Sequence, residues 1–245
     1  MQREHILKNC RILLEAYKTG RLGDTTMPED SNPGFKEKEE RLVYFTLPMS
    51  LNYQRDSFKL WESVLQTWND QETQDIFSIQ NSAKMEKEEL RKKLLKHKIA
   101  LQPNKHLETW RKLAETFNEW GSMSNFLQAQ ENDFLKIRKI MQETNKKEFP
   151  YLSGPKIFNY WSFILQEYGK VKLKNAEYID IAPDTHVTKA SEILGVINKQ
   201  EAETLSKEKI SQRWRELLKG TEINPIDMHP PLWFWSKSNF SFSLK

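Results

Sequence analysis

Apolar residues return at helical spacing along most of this chain. Ile6, Leu7, Ile12, Leu13 and Leu14 predict a first helix that ends near Gly20. Phe58, Trp61, Val64, Leu65 and Trp68 fall on one stripe of another. Between them, residues 24–40 combine turn residues with acids and predict an exposed connector, while the apolar run 42–49 is short enough for one buried turn of helix. Residues 85–97 mix Lys and Glu as a solvated helix does. Further helices are predicted over 106–120, stopped by Gly121, and over 126–142. Two more follow over 156–168, ended by Gly169, and over 185–194, and a last one runs over 206–219. The tail from Asn224 holds three prolines and is expected to be irregular. Strand patterns are scarce and no repeat of fixed period occurs, so the predicted class is all-α.

Composition adds a core and removes several classes. A 245-residue chain has room for one large domain or two packed ones, and a 38% hydrophobic fraction with eight Trp and thirteen Phe excludes global disorder. Cys10 is alone, which rules out an intramolecular disulfide, a cysteine-ligated zinc site and a four-cysteine iron–sulfur cluster. The start, Met1-Gln-Arg-Glu-His5, lacks the apolar run of a signal peptide, and no stretch reaches membrane-spanning length. A soluble, cytoplasmic protein is expected, with no membrane partner. The net charge of +4 is modest, but residues 136–174 hold nine Lys/Arg against three acids, a local +6 that leaves −2 for everything else. Such a concentration suits a polyanion; it also suits a plain lysine-rich surface.

Two segments carry chemistry. In Tyr151-Leu-Ser-Gly-Pro-Lys156, Gly154 can supply the left-handed turn between helices, and Pro155 fits the first helical position, where its missing N–H is not needed. Lys156 then stands on the opening turn of the new helix. Free amides there favour an anion such as a DNA phosphate, and they disfavour a positive ammonium beside them. Burial against Phe158, Tyr160 and Trp161 would add to that and keep the amine uncharged, as a nucleophile must be. In Pro183-Asp-Thr-His-Val187, Asp184 is a preferred N-cap for the helix behind it, a role compatible with catalysis. His186 fits a structural histidine or a ligand contact.

Taken in order, these segments resemble the helix–hairpin–helix DNA glycosylase superfamily, the endonuclease III-like group. Ser50-Leu-Asn-Tyr-Gln54, ahead of an amphipathic helix, looks like the block whose glutamine enters the DNA at the lesion. Leu152-Ser-Gly-Pro-Lys156 resembles the hairpin with its catalytic lysine. Pro183-Asp-Thr-His-Val187, followed by Ser191-Glu-Ile-Leu-Gly195, resembles the segment bearing the catalytic aspartate. Leu152 stands where the family hairpin has its first glycine, and residues 168–181 lengthen the stretch between Lys156 and Asp184. That wide spacing and the missing cluster cysteines are similar to the archaeal-type 8-oxoguanine glycosylases.

The resemblance implies a two-lobed fold without an iron–sulfur cluster. One lobe would be residues 58–170, ending in the hairpin and the Lys156 helix; the other would join 1–57 to 171–245 and carry Asp184. It implies a DNA glycosylase with β-lyase activity on an oxidised purine such as 8-oxoguanine, using Lys156 as Schiff-base nucleophile and Asp184 as assisting carboxylate. Gln54, Leu152, Ser153, Gly154 and His186 would contact the DNA. Trp61, Trp161, Trp214 and Trp233 are candidates for sandwiching the extruded base, though each also fits a core position. No cofactor is required; a monovalent cation could sit on the Leu152 and Gly154 carbonyls. The partner would be duplex DNA containing a damaged base, met by a monomer. A non-catalytic helix–hairpin–helix DNA-binding protein, or a monofunctional glycosylase using water activated by Asp184, are the alternatives.

Overall fold

A computed structural model of the chain describes residues 2–244, and among them it is helical, with no strand beyond one isolated bridge between Asp133 and Lys174. In chain order the helices are α1 (Gln2–Lys18), α2 (Lys38–Leu51), α3 (Ser57–Asn69), α4 (Ile79–Lys84), α5 (Lys87–Lys96), α6 (Pro103–Glu119), α7 (Met123–Ala129), α8 (Phe134–Lys139), α9 (Pro155–Glu167), α10 (Thr185–Leu194), α11 (Lys199–Thr204), α12 (Lys207–Leu218) and α13 (His229–Lys237). None is long and apolar enough to cross a membrane.

The chain divides into two compact units, one of Met27–Ala176 and one of Met1–Thr26 with Glu177–Lys245. Residues 27–57 thus belong to the central unit and not, as the resemblance implies, with the chain ends. The cause is α2. Every residue from Leu42 to Leu51 in it is buried, so this helix is apolar on all sides and has to lie inside a core, where α3, α6, α7 and α9 surround it. What reads as one short buried turn is the axis of the unit. Residues 171–176 are likewise held there, by Phe134 N–H on the Lys174 carbonyl at 3.0 Å and Lys174 N–H on that of Asn132 at 2.8 Å.

Three other expectations change, and α11 is not among the helices predicted. The connector 24–40 is exposed only in part: Met27, Pro28 and Glu29 are buried, and Glu29 accepts from Trp61 Nε1 at 3.1 Å and from the Tyr160 hydroxyl at 3.0 Å. The helix predicted over 126–142 breaks into α7, α8 and a π-turn over Ile140–Thr144. Asp133 causes the break, since its Oδ1 accepts from the N–H groups of Leu135 and Lys136 and starts a new helix. Ahead of it Glu131 and Asn132 adopt positive φ, at 58° and 50°. Helix α11 carries too few apolar residues to be seen as a pattern; its capping box, Asn198 with Glu201, is the signal it does give. The proline-bearing tail is regular after all. Pro230 and Pro231 occupy the first turn of α13, where a proline costs no hydrogen bond.

Candidate functional site

In the central unit the hairpin before α9 starts from Phe149, whose ring is buried against Phe117 and Phe126. The chain reverses at Tyr151, which has φ +61°, and returns with Ser153 N–H on the Phe149 carbonyl at 3.0 Å and Gly154 N–H on the Tyr151 carbonyl at 3.0 Å. Gly154 itself has φ −62° and ψ 134°, so the left-handed residue is a tyrosine and not the glycine. The glycine matters for another reason: a Cβ on it would lie 3.2 Å from the Tyr151 carbonyl oxygen, tighter than side chains normally pack. Pro155 opens α9 as expected. Among the described residues no side chain caps this helix, which leaves the amides of Lys156 and Ile157 for an outside acceptor.

Lys156 is exposed and makes no hydrogen bond or ion pair with any described residue. The aromatic burial expected around it is absent, because α9 turns Phe158 and Trp161 into the core while its first turn faces outward. Leu152 is fully buried and Ser153 nearly so. The Ser153 carbonyl accepts from Gln142 Nε2 at 3.1 Å, and the Gly154 carbonyl from Phe158 N–H at 2.8 Å. Any contact from these residues therefore comes from backbone, and of the two carbonyls proposed for a cation only that of Leu152 is outside a helix bond.

The loop between α2 and α3 meets this hairpin. The Tyr151 hydroxyl donates to the Asn52 carbonyl, and the rings of Tyr53 and Tyr151 meet edge to face, their centroids 6.0 Å apart. Burial pushes the Tyr151 phenol up to about 12, so it stays a donor through the physiological range. Gln54, at the tip, is exposed with φ +47°. Lys105 places its ammonium 4.1 Å from the Tyr53 ring centroid, a cation–π contact. Arg55 anchors the far side of the loop, giving an Nη1 hydrogen bond of 2.8 Å to the Ile99 carbonyl. His106 beside it accepts from Leu101 N–H, and burial, with Arg55 and Lys105 nearby, lowers its imidazole to about 4. The sequence singles out Gln54 here; Tyr53, Tyr151 and Lys105 leave no signal beyond being aromatics and a lysine near a turn.

In the terminal unit Asp184 caps α10. Its Oδ1 accepts from Val187 N–H at 2.8 Å and its Oδ2 from Trp233 Nε1 at 3.1 Å. Trp233 is half-buried on α13, meets the His186 ring edge to face at 5.6 Å, and has the Lys237 ammonium 4.8 Å from its centroid. His186 Nδ1 lies 3.2 Å from Ser236 Oγ. Asp184, His186 and Trp233 thus form one cluster.

The other tryptophans do not join it. Trp61, Trp161 and Trp214 are 1%, 0% and 0% exposed. Each indole N–H is already used, on Glu29, on Thr46 Oγ1 at 2.9 Å and on Ser191 Oγ at 2.8 Å. They are core residues with no face open to a base, which corrects three of the four base-pocket candidates.

No protein-family model matches this chain, and a search of curated proteins found no match.

Proposed function

We propose that the protein is a DNA base-excision glycosylase with an associated β-lyase step, of the two-lobed helix–hairpin–helix kind, acting on an oxidised purine such as 8-oxoguanine in duplex DNA. One observation carries the reading: an exposed lysine on an uncapped helix start, behind a hairpin that is tied through Tyr151 to the loop bearing Gln54. Nucleophile, phosphate-binding amides and a side chain that could replace an extruded base then belong to one unit.

In this mechanism the damaged nucleotide leaves the stack, because its anomeric carbon is out of reach inside it. The Lys156 amine attacks that carbon and the bond to the base breaks. The sugar ring opens to an imine on lysine, and β-elimination expels the 3′ phosphate before water releases the enzyme. Asp184 accepts a proton from the lysine or stabilises cationic sugar character, and Gln54 fills the vacated place in the duplex. The side chains carry every step; the Leu152 carbonyl would help to hold a monovalent cation, whose charge would favour a phosphate nearby. The protein is expected to act as a monomer inside the cell.

Incubation with duplex containing 8-oxoguanine and borohydride tests this. Wild type should form a trapped covalent adduct, Lys156→Gln none, and Asp184→Asn adduct at a rate reduced by two or more orders of magnitude, roughly the worth of a catalytic acid–base group. Adduct surviving Lys156→Gln would refute the nucleophile. The exposure of Lys156 favours a second reading, a non-catalytic helix–hairpin–helix DNA-binding protein in which this ammonium meets a phosphate. Salt-sensitive binding to lesion-free duplex, with no base released from any damaged one, would select it. Base release that needs alkali for strand cleavage would instead select a monofunctional glycosylase using water and Asp184.

A further inference from the structure

The tail helix α13 lies against the head of α10 through two polar contacts one helical turn apart on it, Trp233 Nε1 to Asp184 Oδ2 and Ser236 Oγ to His186 Nδ1. Together with the Val187 amide, Trp233 restrains the Asp184 carboxyl: each oxygen accepts from its own N–H, one on α10 and one on α13. The indole is fixed in turn. His186 stands edge-on to it, Phe234 next in the chain crosses it at 86°, and Lys237, four residues on, covers it with its ammonium. Phe234 is itself buried and stacks on Tyr17 of α1, which seats α13 in the core of the terminal unit.

We infer that Trp233 is a positioning residue, whose ring nitrogen sets the orientation of the Asp184 carboxyl, and that α13 is part of the reactive apparatus. The inference rests on the glycosylase reading above. A half-buried indole N–H could be satisfied by water, unlike those of the fully buried tryptophans; here it is aimed at the one carboxyl to which that reading gives a chemical role. An N-cap aspartate needs only one oxygen for the helix; here the second is restrained as well. A carboxyl restrained in this way spends less time in unproductive rotamers, a condition that favours an acid–base group.

A double-mutant cycle reads the inference. Single-turnover rates of borohydride-trappable adduct are measured on 8-oxoguanine duplex for wild type, Trp233→Phe, Asp184→Asn and the double variant. Trp233→Phe keeps an aromatic ring and removes the N–H. It should slow adduct formation about tenfold, the scale of a hydrogen bond to a charged group. In the Asp184→Asn background the same change should matter less than about twofold. An equal loss in both backgrounds, as base stacking or general packing gives, overturns the positioning role, and so does an unaltered rate in Trp233→Phe. If Trp233→Phe melts several degrees lower, Trp233→Tyr refills the slot with a larger ring and the same two outcomes decide. Wild type that traps nothing defeats the glycosylase reading itself, and this role with it.

Discussion

Glu29 shows how much one residue can alter. Its carboxyl is 1% exposed, receives hydrogen bonds from Trp61 and Tyr160, and has its second oxygen without a partner among the described residues. Burial raises it from 4.5 to about 7, against the weaker pull of those hydrogen bonds. A carboxyl raised on folding favours the folded state fully below its unfolded value, and that contribution fades as the pH climbs through the folded one. Relative to Glu29→Gln, wild type should therefore lose about 3 kcal/mol between pH 4.5 and pH 8. Urea unfolding of both proteins at those two pH values checks this; an unchanged difference would mean that folding leaves the carboxyl at its ordinary value. Gly154 gives a second expectation at this scale. Its missing Cβ leaves the Tyr151 carbonyl room to close the hairpin, so Gly154→Ala should cost about 1–2 kcal/mol in thermal unfolding despite an ordinary negative φ. A neutral effect would show that the hairpin yields.

Among the elements, the hairpin and the α2–α3 loop behave as a pair because of one phenol. Tyr151 has a left-handed backbone, a conformation that costs about 1 kcal/mol for such a side chain, and that strain places its hydroxyl on the Asn52 carbonyl. Tyr151→Phe should free the loop: amide exchange at residues 52–56 should speed by roughly fivefold, for a hydrogen bond worth about 1 kcal/mol, while exchange in α2 stays put. Equal acceleration in both would mean general loosening of the core. The tail helix is the other element whose importance is easily missed. Three prolines predict irregular chain, yet two of them lie where a helix tolerates proline, and behind them come the residues that hold Asp184 and His186.

Over the whole molecule the charge is concentrated in the central unit, and the structure sorts which lysines are free to meet phosphate. Lys136 pairs with Glu131 at 2.5 Å, and Lys174 reaches the same carboxyl. Lys146 and Lys147, just before the hairpin, are exposed and unpaired among the described residues. Replacing both with Glu should weaken binding to lesion-free duplex at low salt. It should also lessen the slope of log affinity against log salt by about 2, roughly one unit for each phosphate that is no longer neutralised. Titrations from 50 to 200 mM KCl measure it, and an unchanged slope would put the DNA elsewhere. A surface ion pair such as Lys136–Glu131 adds little to stability, so the free lysines matter more for binding than the paired ones do for folding.

Much of this was readable in the chain, and the limits have physical causes. Helical class, the start of α9 at Pro155 and of α10 at Asp184, and the end of α10 at Gly195 are local matters of period, capping and breakers, which neighbouring residues decide among themselves. Hydrophobic pattern says that a tryptophan is buried or half-buried without saying against what; Trp61, Trp161, Trp214 and Trp233 look alike until their indole nitrogens are seen on Glu29, Thr46, Ser191 and Asp184. The exposure of Lys156, the tie between residues 52 and 151, and the joining of the tail to the head of α10 all depend on contacts between positions far apart in sequence. Backbone preferences act over a turn or two of chain. Which polar group a buried donor finds is settled only when the core closes around both.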